Sequence, residues 1–510
     1  MAEKETCFLR TKRLFGIRTE CSAETSLPDY NTDVRKILHV SAKPHPISSF
    51  ASGDGIECSG EVTFDVVYLD FEGDVCSASF SGDYSFNAKC DTEAYKDSLV
   101  ETGLGGLSLR LMSPRKLAAR ATLESNLTVI SEQVISSDGD ALALGMDPQI
   151  DPVSISVRST AITPPSEREY AASLARFDGK TTDEVSLIHL SVAPVLERIE
   201  TNNGEAELVG RIDVSALVKT DEFPIQQLEK TLELSEKIPL GNIEVGADVH
   251  AALEVVSATA VVNGDEGGVE IALSVITETR LVGEKNASIE LYSDVYLRDY
   301  PCECTKERVS YDEYLGRWSA TREISESVPL SHLGVGKIRE IIYADAEVRG
   351  VAGEMGLGGI SVGGEIFVSA IATEMNGDSL ELVPLKFSVK FNENVNCNCQ
   401  NNEKTAIETN VSLSNVSVTV DSASVYFSSI LRAEATVCCH LDVETISYAR
   451  AILSEPYPKN PARIAVHYPA DGDSLYSVAK AYHTTKEKIL SDNPGASEAA
   501  FCDLKHLIIT

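Results

Sequence analysis

Ile37-Leu38-His39-Val40-Ser41-Ala42-Lys43-Pro44 returns, with apolar-for-apolar changes, as Leu187-Ile188-His189-Leu190-Ser191-Val192-Ala193-Pro194. Thr32-Asp33 and Thr182-Asp183 keep the same offset. A third copy turns Val34-Arg35-Lys36-Ile37-Leu38 into Ile338-Arg339-Glu340-Ile341-Ile342, and so sets Tyr343 where the others have His39 and His189. Self-similarity over distances this long marks repeated domains, not the 20–50-residue units of a solenoid.

The segments downstream keep the register. Val62, Phe64, Val66 and Tyr68 alternate with Glu61, Thr63, Asp65 and Val67, the period-2 pattern of a half-buried strand. Ile212, Val214, Ala216 and Val218 repeat it, as do Ile366, Val368, Ala370 and Ala372. Gly60, Gly210 and Gly364 are expected to open these strands. Glu72-Gly73-Asp74, Asp221-Glu222-Phe223-Pro224 and Asn376-Gly377-Asp378 are expected to close them as hairpin turns. A later pair, Glu124–Ile130 and Glu270–Ile276, has Arg432–Val437 as its third member, and Asn263–Gly268 reads as a further hairpin turn. Ahead of the first strand, Thr32 can cap a turn that buries Val34, Ile37 and Leu38 at helical spacing. Each unit is therefore predicted as a short helix followed by several strands.

The fold class expected is mainly β: three sandwich-like or barrel-like modules with separate cores, plus a small α+β domain. The boundaries are an N-terminal segment 1–25, units at 26–135, 177–290 and 330–450, and a C-terminal domain at 463–510. A linker 136–176, a charged connector 291–329 and a Pro-containing linker 451–462 separate them.

The chain has 510 residues, with 44 Lys+Arg against 78 Asp+Glu and a net charge of −34. Such a charge repels phosphate backbones and anionic lipid surfaces, so nucleic acid is not an expected partner. No apolar run is long enough for a secretory signal or a membrane span, which predicts a cytosolic protein without a transmembrane segment and with reduced thiols. The pairs Cys302/Cys304, Cys397/Cys399 and Cys438/Cys439 lack the spacer of a structural zinc knuckle, so no metal site and no cofactor is expected. No P-loop, Gly-x-Ser-x-Gly elbow or His-Glu-x-x-His helix occurs. Gly103-Leu104-Gly105-Gly106 and Gly356-Leu357-Gly358-Gly359 read as turns, and no catalytic residues are assigned.

Residues 463–510 differ in character, with five basic and six acidic residues. A strand over 464–468 leads to Gly472-Asp473-Ser474-Leu475, where Asp473 or Ser474 caps a helix burying Leu475, Val478, Ala479 and Tyr482. A second helix, about 485–491, buries Ile489 and Leu490 and stops at Asn493-Pro494. Leu507-Ile508-Ile509 forms a last strand.

This strand–helix–helix–strand pattern resembles a LysM domain through Gly472-Asp473-Ser474-Leu475, Ala479, Tyr482 and Asn493-Pro494. The resemblance implies a shallow groove at Gly472, Asp473, Ser474, Leu475, Asn493 and Pro494. Family members commonly hold N-acetylglucosamine polymers there. Pro469 and Leu504-Lys505 depart from the pattern and alter the groove walls. The stretch Ser26-Leu27-Pro28-Asp29-Tyr30-Asn31-Thr32-Asp33, with the strand from Gly60 and the hairpin to Gly73, is similar to the start of SPOCS domains. SPOCS repeats ahead of one LysM domain resemble spore-coat morphogenetic proteins of Clostridia. That resemblance implies a non-enzymatic scaffold in the mother cell at the forespore surface. Its LysM domain would bind the coat-basement ATPase SpoIVA. The alternative is a peptidoglycan-binding, wall-associated protein. The acidic units would favour a basic partner surface, and open strand edges would allow β-augmentation.

Overall fold

The computed structural model describes residues 4–510 except 54, 91–93, 357, 378, 400–403, 459–463, 495 and 498–503. Three stretches of chain each build two antiparallel sheets with one strand order. The first holds β1 (Lys4–Ser26), β2 (Val34–Pro44), β3 (Ser48–Ser52), β4 (Gly55–Asp70), β5 (Val75–Lys89), β6 (Tyr95–Ser113) and β7 (Lys116–Ser137). Here β7 lies between β1 and β6, while β4 pairs with β2, β3 and β5.

The second stretch holds β8 (Gln149–Ile162), β9 (Ser166–Asp178), β10 (Val185–Asn202), β11 (Glu205–Thr220), β12 (Gln226–Pro239), β13 (Asp248–Asp265) and β14 (Gly268–Tyr296). β14 pairs with β8 and β9 on one side and β13 on the other, and β11 lies between β10 and β12. Pro164 and Pro165, which donate no ladder hydrogen bonds, fall between β8 and β9. The third stretch holds β15 (Cys302–Pro329), a four-residue α1 (Leu330–Leu333), β16 (Lys337–Gly356), β17 (Gly359–Asn376), β18 (Ser379–Val395), β19 (Thr405–Val420) and β20 (Ser424–Ala451). The orders are β15-β20-β19 and β16-β17-β18.

Several expectations are corrected. The turn after Thr32 is strand β2, not helix. Ile37 pairs with Tyr68 and His39 with Val67, leaving Leu38 as the extra residue of a bulge. An inserted residue in a period-2 strand brings two adjacent apolar residues together, and the result imitates helical spacing. The same bulge recurs at Leu187/His189 and Ile341/Tyr343. The predicted short helices shrink to α1 and two 3-10 turns at Asp140–Leu142 and Leu144–Met146.

Gly60, Gly210 and Gly364 sit inside their strands, each facing a break in the partner strand's register. A Cβ on Gly210 would lie 2.2 Å from the Val195 carbonyl oxygen. Gly103–Gly106 is part of β6 and not a turn. The expected linker 136–176 and connector 291–329 are largely strand, forming β8, β9, the end of β14 and β15.

The two sheets of a unit enclose an apolar core, continuous in the second and third units and split among three clusters in the first. Separate module cores were expected, but shared ones exist too. Leu38, Val67, Leu69 and Val75 pack with Leu217, Ile225, Tyr343 and Ile371, joining all three units. At this junction the rings of His39, His189 and Tyr343 form a triangle with centroids 5.3, 5.1 and 5.5 Å apart. Three residues at matching offsets in the sequence thus meet at one junction. A second shared core takes Phe8 and Ile135, Ile155, Val157, Ile289 and Leu291, and Val309 and Tyr311 from the three units.

Past Tyr457 come β21 (Ala465–His467), α2 (Leu475–Ala481), α3 (Lys486–Asp492) and β22 (Leu507–Ile509), in the order read from the sequence. No helix among the described residues is long and apolar enough to cross a membrane.

Candidate functional site

In the C-terminal module β21 and β22 pair antiparallel, Val466 opposite Ile508, and the two helices cover one face through Leu475, Val478, Ala479 and Ile489. Gly472 turns the chain into α2 with φ of 94°, a conformation glycine adopts without strain. Ser474 is the N-cap. Its hydroxyl accepts from Ser477 N at 3.0 Å while Ser477 Oγ accepts from Ser474 N at 2.9 Å, a reciprocal capping arrangement.

Asp473 accepts from Ala470 N at 2.8 Å and from His467 Nε2 at 3.0 Å. The backbone donor, and then His467, hold its carboxyl below the usual range. Asn493 is buried; its amide donates to the carbonyls of Ile489 (2.8 Å) and Ile508 (2.7 Å), and its Oδ1 accepts from Ile508 N at 2.7 Å. It ties the end of α3 to β22. Leu475 is buried and Pro494 exposed.

The structure therefore brings Gly472–Leu475 to the start of α2 and Asn493-Pro494 to the end of α3, and gives most of them a folding role. Residues 498–503, between Pro494 and Leu504, lie outside the described residues.

The sequence reading missed what the other face of β21 presents. Val466 (48% exposed), Tyr468 (73%), Ile464 (63%) and Ile508 (38%) leave an apolar stripe uncovered. The alternation Ile464, Val466, Tyr468 was the available signal, since Ala465 and His467 take the inward positions. Exposed apolar patches of this kind mark contact surfaces.

The module is seated on the second unit. Tyr296 and Tyr476 meet edge to face at 5.3 Å, and Tyr296 Oη donates to the Thr484 carbonyl at 2.7 Å. Lys480 pairs with Asp294, and His483 stacks on Tyr457 at 3.7 Å. α2 thus faces the body, and the stripe stays exposed.

Within the body, a cavity of about 980 Å3 is lined by all three units. Beside it Arg13 and Arg158 pair with Glu284 and Glu408, two cations and two anions drawn from the three units and almost fully buried. Glu254, burdened by burial and by Glu101 and Glu278, is pushed up to about 7. Burial first, then Arg317, Arg13 and Arg158, drives His250 far below its ordinary value. The two cations and two anions of the Arg13, Arg158, Glu284 and Glu408 set balance one another.

Cys302 and Cys304 lie with sulfurs 3.7 Å apart on β15, and Cys438 is buried against Arg158. No group of three or more metal-ligating side chains forms among the described residues. Compared with known proteins, the chain matches no family model, no curated protein and no solved structure.

Proposed function

We propose that the protein is a non-enzymatic scaffold of spore-coat assembly, similar to SipL, in which the C-terminal LysM-like module binds a SpoIVA-like coat ATPase at the forespore surface. The observation that carries this reading is the exposed stripe Ile464, Val466, Tyr468 and Ile508 beside the Gly472–Leu475 and Asn493-Pro494 loops. An apolar strip flanked by polar loops suits a protein partner better than a sugar, which needs a dense set of free hydrogen-bonding groups. Asn493 and Asp473 already spend their polar atoms within the module.

The three units act as a rigid acidic body that carries this head. They are joined by shared cores, and the acidity favours a basic partner surface. In a pull-down from sporulating cells, Val466→Asp with Tyr468→Asp should lose the ATPase while the full-length parent retains it. Unchanged capture would reject the assignment. The competing reading, attachment to N-acetylglucosamine polymers, predicts that the parent sediments with insoluble peptidoglycan.

A further inference from the structure

Two cysteines at the start of β15 stand apart from the others. Cys302 and Cys304 open this edge strand, and residues two apart in a strand share one face. Opposite them in β20 are Ala451 and Ala449, both buried, whose small side chains leave the two sulfurs room to turn toward each other. The sulfurs lie 3.7 Å apart, and both residues keep part of their surface exposed. Cys438 and Cys439, by contrast, are buried neighbours in β20, and the pleat sends them to opposite faces.

The pair is chemically asymmetric. The hydrogen bond from Cys302, aided by Lys480 and opposed by burial and Asp294, holds Cys304 below the ordinary thiol range. The same bond, with burial, raises Cys302. At the other C-x-C pair, burial and then Cys397 push Cys399 up to about 11. An acidic thiol beside a protonated one is the arrangement of an attacking and a resolving cysteine.

The strand rise sets the Cα atoms of residues two apart at about 6.4–6.8 Å, the upper edge of what a disulfide spans. A bridge at that reach closes under strain, and strained bridges are readily reduced. The pair also lies beside the seat of the C-terminal module. Cys304 Sγ is 3.7 Å from the Val295 carbonyl, and the flanking Asp294 and Tyr296 hold Lys480 and Thr484. That shelter admits a small disulfide sooner than one carried on a protein.

We propose that Cys302 and Cys304 are a redox-active dithiol that exchanges reversibly with small disulfides. The Cys304 thiolate attacks one sulfur of the disulfide, whose S–S bond breaks and whose other half leaves as a thiolate and takes up a proton. Cys302 then gives up its proton and attacks Cys304 Sγ, forming the Cys302–Cys304 bridge and releasing the second half as a thiol. The dithiol loses two electrons and two protons, and the small disulfide gains both in becoming two thiols. This chemistry is independent of what the C-terminal module binds.

The test exposes the reduced full chain to excess 2-hydroxyethyl disulfide at pH 7, blocks the remaining thiols with N-ethylmaleimide, and weighs the tryptic peptides. Cleavage after Arg298, Lys306, Lys390 and Lys404 places each C-x-C pair in its own peptide, 299–306 and 391–404. Peptide 299–306 should become bridged, two hydrogens lighter and unblocked, ahead of peptide 391–404, and should return to the dithiol with dithiothreitol. Cys302→Ser should trap one hydroxyethylthio adduct on Cys304. Cys304→Ser should form its adduct on Cys302 about tenfold more slowly, the thiolate difference that one unit of pKa makes at that pH. Peptide 299–306 remaining a dithiol or bridging no earlier than 391–404, two adducts without a bridge, or equal rates in the two variants would overturn the proposal.

Discussion

His39 is 1% exposed and His189 5%, and among the described residues neither Nε2 finds a hydrogen-bond partner. Each ring lies against the other and against Tyr343. His39 Nδ1 meets Ser369 Oγ at 3.1 Å. Burial lowers both histidines; Lys386 and Lys43 add to the effect at His39 against Asp345 and Asp65, and His39 and Lys43 add to it at His189. A histidine held neutral in the folded state binds fewer protons there than when unfolded. Its contribution is complete above about pH 6.5 and is lost as pH falls below that value.

Glu254 acts in the opposite sense. Raised to about 7, it lowers stability as pH rises from about 4.5 to 7. Chemical denaturation across pH 4.5 to 8 should therefore show His39→Gln flattening the acid limb and Glu254→Gln flattening the opposing one. In the module, Asn493→Ala should cost about 1–3 kcal/mol, because it strands the Ile508 amide. Hydrogen exchange at Ile508 would accelerate accordingly.

Among the strands, glycines are not equivalent. A Cβ at Gly210 would strike backbone, whereas one at Gly103 meets nothing within 4 Å. Gly210→Ala should lower stability by about 1–3 kcal/mol, and Gly103→Ala should leave it unchanged or raise it by about 0.4–1 kcal/mol; urea midpoints of the two variants check this. The recurring octapeptide made the strand following it legible in all three units, and the cap at Ser474 and the stop at Asn493-Pro494 made the module's helices legible. β9 was hidden for a physical reason. Its alternation buries little more than Leu174, so an edge strand reads as a polar linker. The bulge at Leu38 misled because burial followed the pleat on both sides of an extra residue. The groove loops could be placed from sequence, and the alternation Ile464, Val466, Tyr468 marked a two-faced strand, but which of its faces the helices cover is a tertiary choice.

Across the molecule, the shared cores and the Arg13–Arg158–Glu284–Glu408 network make the units interdependent. Removing one cation leaves an anion buried without compensation. Arg158→Met should cost about 3–5 kcal/mol. Calorimetry should give one cooperative transition for the three-unit body, shifted downward as a whole in this variant. Three resolved transitions would show that the units unfold separately.

The Tyr343 that completes the ring triangle has a consequence for stoichiometry. A trimer of identical subunits would repeat any ring, gap or appended head three times and would fall apart on dilution. Covalent succession of the three units frees each copy to diverge. At the ring triangle one ring alone is phenolic, and a single head rides on the three-unit base. Each chain therefore carries one such head on its three-unit body.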